Sequence, residues 1–439
     1  MRLKSSYELS EFRIIANKNK TDTQGNSFEF IDISGFSTEP KAKIEKNSEI
    51  NIMTEKITYS SERPCAVWDG QFFNYGGFAR MNRAFLFGLT NKSALIKPKI
   101  DPYLPNINQA TQEHIEKLSK ISIPPKSPTV YSATMPININ HNGKAILFTM
   151  METSQEVHPS YVEKMNCFDE VWTATEYNKQ IFINSGVKKP IFVIPLGVYT
   201  DRYQETELGF DFKCELKNFR FLSVFKWNPR KNPEFLIRSY VEQFSSKDDS
   251  TLILVTRPSM FSEETGEEYI TKEIQKIINS TNKQDIPHIV LYTEPISELK
   301  MPNVYNSAHC FVLPSLGEGF GLPYLEAGSC NVPIIATNCS GHSDFLNNEN
   351  SFLINPKGYD RAIINKNLHH LASSSHYYEN QYFPTFNKES ESEFGEHMRF
   401  VYSNYSKAKE KSIKFKKEID YKWDWEHSFR KAYNQLLQE

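Results

Sequence analysis

Seven residues separate Glu318 from Glu326, and Glu318 sits in a turn that holds Gly317, Gly319 and Gly321. A carboxylate accepts hydrogen bonds from two neighbouring hydroxyls, and sugars and ribose offer such pairs; each charge-assisted bond contributes about 1.5–3 kcal/mol. The glycines let backbone N–H groups approach a ligand closely. Pro323 suits the first turn of a helix, whose unpaired N–H groups and dipole favour an anion. A phosphate-reading turn between two hydroxyl-reading carboxylates amounts to a site for a nucleotide sugar. Glycine turns are common, and a first-turn glutamate also complements the helix dipole. The whole run FVLPSLGEGFGLPYLE (311–326), followed by CNVPIIATN (330–338), is more specific.

Two series of elements must position this turn. Short β-rich runs at 65–69, 94–97, 129–133, 145–150, 170–174 and 192–195 alternate with helical stretches near 78–89, 108–120, 159–166 and 176–185. A second series has strands at 219–225, 251–255, 289–292, 310–313, 333–336 and 352–354, and helices near 233–244, 271–280, 297–306 and 323–329. Such alternation predicts parallel sheets with helices on their faces. Twelve strands are too many for one ordinary sheet, so the α/β chain divides into two sheets. The break falls in the polar stretch 200–218.

The expected domains are an N-terminal extension (1–62) with short strands at 12–16 and 28–33, a first domain (63–205), a second (206–415) and a C-terminal helix (416–439). The lysine-rich run 407–417 reads as a solvated helix face, with weak membrane-surface contact as the other reading. A chain of 439 residues supports sizeable cores, and a net charge of −2 offers no broad field for nucleic acid. Six cysteines without Cys-x-x-Cys spacing fit a reducing compartment. With neither a signal-peptide core nor a membrane-length apolar run, the expected location is cytoplasmic.

The segment PSLGEGFGLPYLEAG (314–328) resembles the Glu-x7-Glu motif of glycosyltransferase family 4, also called group 1. The resemblance implies a GT-B fold: two Rossmann-like domains facing a cleft, with a C-terminal helix packing back. It implies a nucleotide-sugar donor transferred with retention of anomeric configuration. Glu318 would contact the donor sugar, Glu326 the ribose, and backbone around Gly319, Phe320, Gly321 and Leu322 the sugar and phosphate. In FLSVFKWNPRKNP (221–233) Lys226 and Lys231 stand where the family has its basic pair, with Lys226 in place of arginine. Two such cations would neutralise a leaving diphosphate without metal, and Arg230 could substitute for either.

The first domain is similar over WDGQFFNYGGFAR (68–80), where Gly76 and Gly77 would face the donor phosphates and acceptor, and over FTMMETS (148–154). Many relatives carry a histidine after this fourth strand. Here Glu152 stands instead, to take that role or to orient the acceptor; His158 is a weaker candidate. In SGHSDFL (340–346) Asp344 replaces the family's usual glutamate, and His342 could face the donor.

The expected acceptor is a glycan, a lipid-linked saccharide or a protein, with a role in surface glycan assembly. No cofactor or metal is expected, since no Asp-x-Asp triplet occurs. The sequence does not reach the oligomeric state, the sugar or the base. Two alternatives are a catalytically silent partner subunit and a nucleotide-sugar 2-epimerase. A dinucleotide oxidoreductase lacks its Gly-x-Gly-x-x-Gly spacing.

Overall fold

The computed structural model describes residues 12–15, 63–74, 76–100, 107–133, 139, 143–258, 267–363, 366, 368, 371 and 377–438. Strands β2 (Cys65–Gly70), β3 (Leu95–Lys99), β4 (Thr129–Ser132), β5 (Ala145–Phe148), β6 (Glu170–Thr173) and β7 (Ile191–Val193) form one parallel sheet, ordered β3-β2-β4-β5-β6-β7. Every residue of β4, β5 and β6 is buried, as expected where helices cover both faces of a parallel sheet. One covering helix, α1 (Gly77–Asn91), buries Met81, Phe85 and Leu89 along one stripe. Phe85 stacks on Trp68 of β2 at 5.4 Å between ring centroids.

The second sheet is ordered β1-β10-β9-β8-β11-β12-β13, with β8 (Phe219–Trp227), β9 (Ser250–Pro258), β10 (His288–Tyr292), β11 (Cys310–Leu313), β12 (Ile334–Thr337) and β13 (Phe352–Ile354). Its edge strand β1 (Phe12–Ile15) pairs parallel to β10. The strand expected at 12–16 is therefore part of the second domain's sheet rather than of a separate appendage; the strand expected at 28–33 lies outside the described residues. The strand order reverses between β8 and β11, the switch point outside whose carboxyl ends open α/β sheets bind ligands. Lys226 stands at the carboxyl end of β8, the loop after it carries Arg230 and Lys231, and the loop after β11 carries Gly317 to Gly321. The first sheet reverses between β2 and β4, and the loop after β2 leads to Gly76.

Three further elements lie outside the sequence expectations. A hairpin pairs β14 (Gly358–Arg361) with β15 (Tyr382–Thr385) antiparallel. The helix Lys388–Ser403, started by an Asn387–Ser390 capping box, packs on the helix Pro233–Gln243. The expected boundary at residue 416 falls inside the helix Tyr405–Lys422, which packs on the helix Leu322–Ser329 of the second domain. The helix that crosses back starts at Trp425, runs to Leu437 and lies on α1. Trp425 and Phe429 meet Phe85 edge-on there.

Two chain segments connect the domains at this crossing, and they bond to one another. Val198 N–H donates to the Trp423 carbonyl at 2.9 Å, Trp425 N–H to the Val198 carbonyl at 3.3 Å, and the Thr200 hydroxyl to Asp424 at 2.8 Å. In the lysine-rich helix, Lys409 is held by Glu205 and the Asn331 carbonyl, Lys411 by the Asn348 carbonyl and Lys416 by Asp420. Half of the basic run 407–417 is thus engaged in protein contacts. Among the described residues, no helix is long and apolar enough to cross a membrane.

Candidate nucleotide-sugar site

The turn after β11 brings Glu318 beside the loop after β8. Lys231 Nζ lies 2.5 Å from Glu318 Oε1, and Arg230 Nη1 lies 3.5 Å from the same oxygen. The three side chains are nearly enclosed, 8 to 11% exposed. Burial pushes the Glu318 carboxyl upward, but the Lys231 and Arg230 charges outweigh it and hold the pKa down to about 2. Burial lowers the Lys231 ammonium, partly offset by Glu318. The Glu318 N–H donates to Ser340 Oγ at 2.8 Å, and its carbonyl accepts from Gly341 N–H at 2.9 Å. The loop that carries His342 and Asp344 therefore braces the glutamate from behind.

Two glycines of the turn are required by geometry. Gly321 has φ 105°, a conformation that L side chains rarely adopt. A Cβ on Gly317 would meet the Glu152 carbonyl oxygen at 2.1 Å. The turn thus lies directly against the first domain's 150–152 loop. Asn178 Nδ2 reaches the Gly319 carbonyl at 3.3 Å from the first domain, and Phe320 turns its ring into the core against Phe345 and Trp423. Gly321 precedes Leu322, the first residue of the helix Leu322–Ser329, and supplies no side-chain cap to its N–H groups.

Glu326 lies one turn into that helix, 4% exposed, and its partners differ from those of Glu318. Arg80 of the first domain approaches Oε1 at 2.5 Å, and the Tyr305 hydroxyl donates to Oε2 at 2.6 Å. Arg80 also lies 3.7 Å from Glu298, which Arg83 meets at 2.9 Å. Helix α1 therefore faces the second domain through Arg80 and Arg83. Gly76 is the N-cap of α1 at φ −66°, which any residue adopts, and a Cβ on Gly77 would meet nothing within 4 Å.

Glu152 joins the cluster across the cleft: its Oε1 lies 2.7 Å from Arg230 Nη2. Arg230 donates from Nη1 to the Gly317 carbonyl and from Nε to the Tyr378 hydroxyl at 3.0 Å. Burial would lower the guanidinium, but Glu152, Tyr378 and Glu318 raise it above its ordinary value. Arg230, named in the sequence only as a substitute, makes the ion pairs that Lys226 does not. Lys226 is exposed at the end of β8, with Arg257 beside it on β9, and joins none of the cluster's ion pairs.

The remaining candidates have structural contacts. His158 caps the helix Pro159–Met165 through Ser160. His342 is fully buried, its ring against Tyr324 and its Nε2 2.7 Å from the Thr337 carbonyl; burial lowers its pKa to about 4, so it is neutral. Asp344 accepts from the N–H groups of Glu176 and Tyr177 at 2.6 and 3.1 Å, capping a first-domain helix from the second domain. Sequence reading missed Arg80, Tyr305, Ser340 and Tyr378. Arg80 ends the 68–80 segment, but its partner Glu326 is 246 residues away. Among the described residues, no three His, Cys, Asp or Glu side chains form a group that could hold a metal ion.

Comparison with known proteins bears on the fold and on the family of the second domain. The family described as Glycosyl transferases group 1 matches residues 217–373. A probable sucrose-phosphate synthase of Thermosipho melanesiensis is 30% identical over 176 residues, 39% of this chain and 38% of that protein. An Escherichia coli UDP-Gal:alpha-D-GlcNAc-diphosphoundecaprenol alpha-1,3-galactosyltransferase is 26% identical over 181 residues, 39% of this chain and 43% of its own. The chain thus matches about two-fifths of the length of these relatives. Among solved structures, the Anabaena HepE protein in complex with UDP and glucose superposes with TM-score 0.59 at 13% identity, covering 85% of this chain and 99% of that one. Sucrose-phosphate synthase from Thermosynechococcus elongatus gives TM-score 0.60 at 13% identity over the same shares. Residues 217–373 are a group 1 glycosyl transferase domain, set in a chain with the GT-B fold of two facing Rossmann-like domains.

Proposed function

We propose that the chain transfers a sugar from a nucleotide-sugar donor to a hydroxyl acceptor with retention of anomeric configuration and without a metal. The observation that carries the reading is the enclosed Glu318–Lys231–Arg230 cluster at the β8/β11 switch point, beside the uncapped start of the helix Leu322–Ser329. A donor's diphosphate at that helix start would meet two fixed cations. Glu318 would read sugar hydroxyls and Glu326 the ribose. The acceptor oxygen attacks the anomeric carbon as its bond to the diphosphate breaks. The acceptor's proton passes to the departing phosphate oxygen on the same face, so no protein nucleophile is needed. Lys231 and Arg230 stabilise the charge that develops on the diphosphate. Cleft closure excludes water.

Similar proteins favour this donor class: HepE was solved with UDP-glucose, and the Escherichia coli galactosyltransferase is named for UDP-Gal. That enzyme, and an Escherichia coli O-antigen chain mannosyltransferase B 45% identical over 49 residues, support a glycan or lipid-linked saccharide acceptor in surface glycan assembly. One observation favours a second reading, a catalytically silent partner subunit: both carboxylates already have protein cations.

A panel of nucleotide sugars, assayed for nucleoside diphosphate release with and without EDTA, separates these readings. Release from one donor that resists EDTA and falls in Glu318→Ala and Glu326→Ala supports the transferase. Absence of release or binding with every donor favours the silent subunit. Release abolished by EDTA overturns the metal-free mechanism.

A further inference from the structure

Tyr378 precedes β15 in a segment that none of the sequence motifs reaches. Its ring is buried against Tyr377 and Phe383, with centroids 5.3 and 5.6 Å away. Its hydroxyl donates to Glu152 Oε2 at 3.0 Å and accepts from Arg230 Nε at 3.0 Å. Arg230 Nη2 meets the other oxygen of the same carboxylate at 2.7 Å. Three groups therefore close a ring of hydrogen bonds, in which the tyrosine uses its only proton and a lone pair at once. Glu152 comes from the first domain, Arg230 and Tyr378 from the second. Arg230 also holds the Gly317 carbonyl and lies 3.5 Å from Glu318. One guanidinium thus links the contact across the cleft to the glycine turn.

We propose that Tyr378 is a positioning residue: with Glu152 and Arg230 it latches the two domains together and fixes Arg230 against the charge of the departing diphosphate. The inference deepens the transferase reading and rests on it. Both oxygens of Glu152 are engaged, so its part is to orient Arg230 rather than to carry the acceptor's proton. Phenylalanine would keep the ring packing and leave Arg230 Nε and Glu152 Oε2 without this partner.

The test is Tyr378→Phe in the full chain. The donor dissociation constant is expected to stay within about twofold, because the donor binds mainly to the second domain. The transfer kcat is expected to fall about tenfold or more, as for loss of a hydrogen bond to a charged group. Donor hydrolysis should rise relative to transfer as water enters, and small-angle scattering without donor should show a larger radius of gyration. Wild-type kcat overturns the proposal, and so does a lower kcat with an unchanged scattering profile. If Tyr378→Phe does not fold, Glu152→Gln breaks the ring's ion pair from the other domain and is read by the same measurements. The scattering arm needs no donor. Failure of the wild-type chain to turn over any nucleotide sugar would overturn the transferase reading instead, while scattering still decides the latch.

Discussion

Glu318 and Glu326 share one motif and one residue type, yet the fold satisfies them in opposite ways. Glu318 takes its cations from its own domain, from a loop one strand away at the switch point. Glu326 takes its cation from the other domain, through Arg80, with Tyr305 as a neutral second partner. The first arrangement persists however the domains move. The second exists only while they touch. One carboxylate is therefore preorganised and the other depends on domain position.

The sharpest way to break that contrast is Glu318→Ala. It leaves Lys231 enclosed without its anion, at a cost of about 3–5 kcal/mol in chemical denaturation. Nucleoside diphosphate release is expected to fall by about 10²–10³. Next comes acid titration. The Glu318 pKa is depressed from 4.5 to about 2, so its contribution is fully present above about pH 4.5 and is lost as pH falls toward about 2. The contribution is about 3 kcal/mol. Glu318→Gln should make stability shallower with pH across that window, and a slope equal to wild type would refute the assignment.

Arg80→Ala probes the other carboxylate. Arg80 is 29% exposed, so water can replace part of what is lost, and a smaller cost of about 1–3 kcal/mol is expected in thermal unfolding. A cost equal to that of Glu318→Ala would erase the distinction between the two sites. The smallest effect is expected from Lys226→Ala. Donor affinity measured by calorimetry should weaken by about 2–5-fold, as for an exposed charge, and by less than for Lys231→Ala. The reverse ranking would place the diphosphate at the end of β8 instead of the enclosed cluster.

The parts legible in the sequence are those whose chemistry is local. The strands Cys310–Leu313 and Phe352–Ile354 and the helix Glu176–Ser185 fall at the expected residues, because buried parallel strands are short apolar runs and Thr175 and Gly186 punctuate the helix. The glycine turn and both glutamates occupy one contiguous segment. The hairpin was not legible: its strands have four residues each, and Pro384 interrupts the second. The helix Lys388–Ser403 hides its apolar stripe, Phe394, Met398 and Val401, in a polar, serine- and glutamate-rich segment. Arg80 and Tyr378 act through partners more than 140 residues away, a separation at which no spacing rule operates. Lys226 illustrates the converse, since its place in a motif does not bring it into the enclosed cluster.

The crossing at Val198 and Asp424 has a mechanical consequence. Two strands of chain join the domains there and are tied to each other by hydrogen bonds from Val198, Trp425 and Thr200. A single covalent linker would act as a ball joint. Two bonded linkers act as a pintle, which suppresses twist and sliding and leaves one swing. An opening of the cleft about this crossing would retrace one arc and return Arg80 and Glu152 to the same partners at the end of it.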